Sequence, residues 1–331
     1  MRATRSGGSR SSMDMDLILA SPEVTLASRE VILASMEANS RWVALTAVAP
    51  VAWGTNYYVT HEFLPTDSPL YGAALRALPA GLVLLALARR RPRGVWWGRS
   101  AVLGLLNVSV FFVLVYAASQ LLPTSVASTV MAVSPLTMML IAWSLLAERP
   151  GTAHLVGAAT GLAGVGLMLF TGTEGVSVPG VLASAGAMLV SAFGHILTKR
   201  WNAGGAVLAS TAWQLTAGAL FLLPVAAAVE GPPPALSASA LLAFGYVSVV
   251  ATALAFTMWF AGLRRLPAGT VGLIGLLNPV TGVLLGTVVA GEALTVRQLC
   301  GLGLVLTGVA LGRPGRARPS PRPAPVACDA P

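Results

Sequence analysis

The chain has 331 residues, 55% hydrophobic and 10% charged, with a formal net charge of +9 and two cysteines. Ordinary soluble domains carry roughly 25% charged residues, so a soluble fold with charged outer faces is excluded, and Cys300 and Cys328 make no disulfide framework. The basic balance is not that of a nucleic-acid binder, because no motif or interleaved aromatics accompany the charges.

Residues 1–40 read as a cytoplasmic extension without the apolar core of a signal peptide. Leu17 to Met36 carries Asp16, Glu23, Arg29 and Glu30 in or beside it and is too polar to span a bilayer. A disordered extension and an over-long gene start, with translation from Met36, both fit. Apolar runs then follow one another, each long enough to cross roughly 30 Å of hydrocarbon as a helix. They predict an all-α integral membrane protein with ten transmembrane helices, at 42–60, 69–88, 101–120, 124–147, 153–171, 179–199, 206–229, 237–261, 267–290 and 294–312. Asp67-Ser68-Pro69 caps the second of these, and Gly231-Pro232-Pro233-Pro234 separates the seventh from the eighth. A closed barrel would need strands alternating apolar and polar residues, and no run does so. Residues 313–331 are a Pro/Arg-rich tail, expected to be disordered.

With ten alternating helices, nineteen of the 21 Lys and Arg fall on one side; Arg297 lies opposite and Arg76 within a helix. The positive-inside rule then places both termini in the cytoplasm of a plasma-membrane protein, with 61–68, 172–178 and 230–236 outside. The run Arg89 to Arg93 also suits anionic lipid headgroups.

Residues 122–167 match 266–311 without a gap at an offset of 144, with twelve of 46 positions identical. The shared residues include Pro123/Pro267, Pro135/Pro279, Glu148/Glu292, Gly157/Gly301 and Gly164/Gly308. The offset spans five predicted helices, an odd number, so the second copy enters the membrane inverted. The predicted architecture is two inverted five-helix repeats, 41–171 and 178–312. Inverted repeats characterise alternating-access carriers, with a site near the midplane.

These residues carry a family resemblance. Trp53-Gly54, Arg76 and the twice-occurring pattern of Pro, Glu, Gly and Gly-Val (Pro135, Glu148, Gly157, Gly164-Val165; Pro279, Glu292, Gly301, Gly308-Val309) resemble the EamA transporters of the drug/metabolite transporter superfamily. The resemblance covers about residues 42–312. It implies a ten-helix secondary transporter, commonly exporting amino acids, other metabolites or drugs.

Arg76 is the one charge well inside a predicted span, about 10 Å past Pro69 at 1.5 Å per residue. It is a candidate for gripping a substrate anion, against a structural role bonded to free carbonyls. Trp53, Asn56 and Tyr57 share one face of the first helix and are candidate cavity residues. Pro135 and Pro279 each remove a backbone donor in mid-helix, and Ser134 and Asn278 precede them at matching positions. Bends framing a binding site and simple packing kinks are both open. His195 is a candidate proton-coupling residue or, more simply, a partner for a neighbouring helix. Gln214 and Trp259 are weaker cavity candidates, with Trp213, Tyr116 and Phe256. Glu148 and Glu292 should cap the helices that follow them. Gly157, Gly161, Gly282, Gly286, Gly308 and Gly312 form pairs of small residues suited to close helix packing.

No nucleophile–base pair, carboxylate pair, metal cluster, cofactor motif or ATP-binding motif is present, so an intramembrane enzyme is disfavoured and a passive channel is the nearer rival. The expected partners are a small-molecule substrate and the lipid bilayer, and a monomer or homodimer suits either reading.

Overall fold

The computed structural model describes residues 22–65, 67–121, 130–169, 177–202, 205–290 and 295–312. Trp42–Arg313 forms one compact unit; Met1–Arg41 with Pro314–Pro331 is counted apart from it.

Every described element is helical. Helix α1 spans Pro22–Phe63, beginning twenty residues ahead of the expected start at 42. Helix α2 is Pro69–Ala88, with proline in the first turn where its missing N–H costs nothing. Helix α3 comprises Trp96–Gly104, a π-helical turn Leu105–Val110 and Phe111–Leu121. Helix α4 is Ser134–Leu146 and α5 is Thr152–Leu169. Helices α6 and α7 are Val178–Trp201 and Val207–Glu230. Helix α8 repeats the plan of α3: Ala238–Ser248, a π-helical turn Val249–Leu254, then Ala255–Arg265. Helix α9 is split into Ala268–Gly275 and Leu277–Ala290, and α10 is Val296–Leu311. Among the described residues five helices are long and apolar enough to cross a membrane: α2, α3, α6, α7 and α8. Four shorter apolar helices accompany them.

Asp67-Ser68-Pro69 supplies the first-turn proline of α2 but not the expected cap: Ser68 makes no side-chain cap bond, and Glu230 serves the Leu70 and Tyr71 amides instead. Ser177, Ser237 and Thr295 each accept a hydrogen bond from a first-turn amide, and Thr295 with Gln298 completes a capping box. The two π-helical turns begin 144 residues apart, at Leu105 and Val249. Thr137 and Thr281, also repeat partners, each donate to a carbonyl one turn back, on Val133 and Leu277.

Packing is close because the contact faces are small. Helix α2 lies along α7, and α5 along α10. A Cβ added to Gly164 would stand 2.7 Å from the Gly301 carbonyl, and one on Gly157 would stand 2.7 Å from the Gly308 carbonyl. Only glycine permits such an approach. The main core joins alanines of α1, α2 and α7 (Ala49, Ala77, Ala219) to Phe256, Trp259 and Phe260 of α8.

The Gly164 contact is with backbone, which cannot yield. Gly164→Ala should therefore lower stability by about 1–3 kcal/mol, read as a fall in melting temperature in detergent. Gly166→Ala, where an added Cβ meets nothing within 4 Å, should leave it unchanged or slightly raised.

Candidate functional site

Between α1, α6 and α8 lies an aromatic cluster. The Trp53 ring packs edge-on against Phe256 at 5.2 Å and against Trp259 at 5.2 Å. Trp259 also meets the His195 ring at 5.6 Å, and His195 meets Phe260 at 5.5 Å. Three predicted site residues, Trp53, Trp259 and His195, thus share one cluster, with Trp259 as the link. His195 is 8% exposed and packs against aromatic rings.

The π-helical turn of α8 positions this cluster. Such a turn widens the helix by one residue and loosens its regular bonding. The carbonyl of Ala251, within that turn, accepts a 3.0 Å bond from Trp53 Nε1. Beside Trp53, Gly54 lets α1 approach α9: a Cβ there would stand 2.7 Å from the Asn278 carbonyl. Asn278 Oδ1 and Trp259 Nε1 are buried, and neither has a hydrogen-bond partner among the described residues.

The equivalent turn of α3 builds a second, polar cluster. Asn107, 2% exposed, donates through Nδ2 to Gln214 Oε1 at 2.8 Å and to Thr198 Oγ1 at 3.1 Å. Gln214, predicted as a weak cavity residue, therefore joins α3, α6 and α7 in an amide–hydroxyl network. Asn107 and Thr198 went unselected by the sequence reading. Asn107 carries a weak signal, as a polar residue between Leu106 and Val108 in an apolar run; Thr198, next to Lys199 and Arg200, carries none.

Arg76 is half-buried on α2, with its guanidinium carbon 4.6 Å from the centre of the Phe112 ring. Phe112 and Phe256 are repeat partners, each two residues past the end of a π-helical turn. One receives Arg76 and the other Trp53. A cation on an aromatic face is worth about 0.5–2 kcal/mol.

Pro135 lies in the first turn of α4, directly after a turn at 132–133. Pro279 lies in the first turn of the second segment of α9, directly after the interruption at Leu276. Each missing donor thus falls where the helix restarts. Ser134 and Asn278 are half-buried. The side chains of Asn56 and Tyr57 lie outside the described residues, as does Glu292. Trp213 turns away from the clusters to donate to the Arg90 carbonyl at 2.8 Å.

Glu148 caps a helix, but not the one that follows it. Its Oε2 accepts from the Ala268 amide at the start of α9, at 3.0 Å, and its Oε1 meets Lys199 Nζ at 2.6 Å. Lys199 in turn donates to the Leu266 carbonyl. One carboxylate thereby ties the end of α4 to the end of α6 and the start of α9. Glu230, which the sequence reading passed over, does the same elsewhere: it accepts from the Leu70 and Tyr71 amides at the start of α2.

The comparisons agree with this architecture. The sequence pattern of the EamA-like transporter family matches residues 40–170 and 178–312. Protein PecM of Dickeya dadantii is 36% identical over 263 residues, covering 79% of this chain and 88% of that one. The uncharacterized transporter YvbV of Bacillus subtilis is 28% identical, covering 82% and 91%. A solved crystal structure, 25% identical, superposes with a TM-score of 0.71 and covers 82% of this chain and 96% of its own. The apolar helices and these matches define a multi-pass membrane protein. The chain belongs to the EamA-like transporter family, and its role is transport.

The Glu148 tie has a measurable signature. Glu148→Gln and Lys199→Gln should each destabilise by about 0.5–1.5 kcal/mol, and the double variant by less than their sum. Glu148→Ala should cost about 1 kcal/mol more than Glu148→Gln, because it also uncaps α9. Thermal unfolding of the wild type and these four variants in detergent reads both effects.

Proposed function

We propose that the chain is an alternating-access carrier of ten transmembrane helices in two inverted repeats. It moves small metabolites, exporting amino acids, related metabolites or drugs across the plasma membrane, with both termini cytoplasmic. One observation carries the reading. Shifting by 144 residues turns the Gly157–Gly308 contact into Gly301–Gly164, the same pair of helices with the partners exchanged. A twofold relation between repeats exchanges the partners of a contact in that way, and this supports the reading. The π-helical turns at Leu105 and Val249 and the restarts before Pro135 and Pro279 support the same relation. Repeats related in this way can exchange conformations, which is what two facing states require.

The site of this carrier is the region framed by Trp53, Trp259, Arg76, Asn278 and the restarts of α4 and α9. Arg76 supplies a cation for an anionic group; Trp259 Nε1 and Asn278 Oδ1 supply a buried donor and acceptor without protein partners among the described residues. Ser134, Gln214, Asn56 and Tyr57 belong to the same candidate set, with Gln214 acting through Asn107.

Comparing metabolites exported by cells with and without the protein identifies a substrate. In proteoliposomes that substrate should then show saturable counterflow. Uptake linear in concentration, without counterflow, would make the protein a channel-like facilitator. Arg76→Ala should abolish counterflow while Arg76→Lys retains part of it, since the bidentate grip is lost; normal transport by Arg76→Ala would remove this residue from the site. Orientation is read separately, in a background lacking Cys300 and Cys328. Pro233→Cys should label from outside with an impermeant thiol reagent and Gly98→Cys should not.

A further inference from the structure

A second site stands at the end of α2. The helix stops at Arg89, whose φ of +49° places a non-glycine residue in the left-handed region. Arg89, Arg90, Arg91 and Arg93 are all exposed. Two features make this stretch more than a topology signal. The Arg90 carbonyl is fixed to α7 by Trp213 Nε1, and the Trp213 ring packs edge-on against Trp96 at 5.3 Å. Arg99, on the first turns of α3, is half-buried, with its guanidinium carbon 5.5 Å from the Trp96 ring and 5.4 Å from the Trp201 ring. Two indole faces hold one guanidinium in place, so its remaining N–H groups are pre-oriented for an oxyanion at low entropic cost.

No carboxylate pairs with any of these five arginines among the described residues. Glu37 pairs with Arg41, Glu148 with Lys199, and Glu230 caps the opposite end of α2. The positive charge is therefore uncompensated among the described residues. Exposed apolar side chains flank it directly: Leu87 is 66% exposed and Trp97 63%. A partner must present an anion and hydrocarbon side by side. A nucleic acid backbone offers the first without the second; a phospholipid offers both in one molecule, at the end of a helix long and apolar enough to cross a membrane.

We propose that this surface, the Arg89–Arg93 run with Arg99 in its tryptophan clamp, binds the phosphodiester headgroup of an anionic phospholipid, with acyl chains along the apolar residues of α2 and α3. The site is separate from the transport site and does not rest on the carrier reading. Tryptophan at the interface and arginine toward the phosphate is the arrangement that membrane boundaries favour.

The test is native mass spectrometry of the full chain in non-ionic detergent, titrated with phosphatidylglycerol or phosphatidylcholine. The wild type should retain phosphatidylglycerol preferentially. Arg99→Gln should weaken that retention about fivefold, and Arg91→Gln, an exposed position, by a similar or smaller factor. Trp201→Leu, which removes one face of the clamp and no charge, should weaken it in the same direction. Phosphatidylcholine binding should not change in any variant. Equal retention of the two lipids by the wild type, or unchanged phosphatidylglycerol retention in both Arg99→Gln and Arg91→Gln, would overturn the proposal. Inorganic phosphate should not compete at millimolar concentration; if it does, the cluster is a free-phosphate site and the lipid assignment fails.

Discussion

In hydrocarbon every backbone amide and carbonyl must find a partner within the protein. A continuous α-helix meets this demand internally, and at several places where the structure departs from it a side chain meets the backbone. The π-helical turn of α8 directs the Ala251 carbonyl to Trp53. In that of α3, Ser109 Oγ donates to the Gly218 carbonyl of α7. At the restarts of α4 and α9, threonines 137 and 281 add a side-chain donor to carbonyls one turn earlier, on Val133 and Leu277. Trp53 is the site residue that meets the backbone at such a departure, and Phe112 and Phe256 follow the two π-helical turns.

Helix ends face the same constraint, and two glutamates answer it across the chain. Glu148 serves the first amide of α9, and Glu230 serves two amides of α2. Each joins segments 120 or more residues apart in sequence. A carboxylate on a helix start is favoured by the positive end of the helix dipole, and little water reaches Lys199, whose side chain is 14% exposed. These ties hold together helices that the small-residue faces alone would let slide.

Much of the helical plan is legible in the sequence because apolar length and interrupting Gly, Pro and Asp are local signals. The boundaries of α2, α6 and α7 fall within about two residues of expectation. What is not legible depends on partners distant in sequence. Nothing near Leu105 or Val249 marks a π-helical turn; the turns follow from what packs on them. Glu148 reads as a cap from its position after α4, but which helix it caps is decided by packing. Trp53 reads as a cavity residue by spacing and Trp259 only as a weaker candidate, and their meeting is tertiary. Asn107 and Thr198 gain meaning only when Gln214 is brought to them.

The two π-helical turns occupy equivalent positions yet hold their neighbours by different chemistry. Position 107 is an asparagine whose side chain donates to Gln214 and Thr198; its counterpart at 251 is an alanine gripped through its backbone by Trp53. If two halves exchange conformations, identical halves would give facing states of equal energy. These halves do not exchange like for like. Interhelical bonds in membranes are worth about 0.6 kcal/mol each, so a difference of one or two bonds tilts the resting population several-fold. Under the proposed alternating-access reading, the molecule would have a preferred side to face before any substrate arrives, and the amide at position 107 would be one residue that sets it.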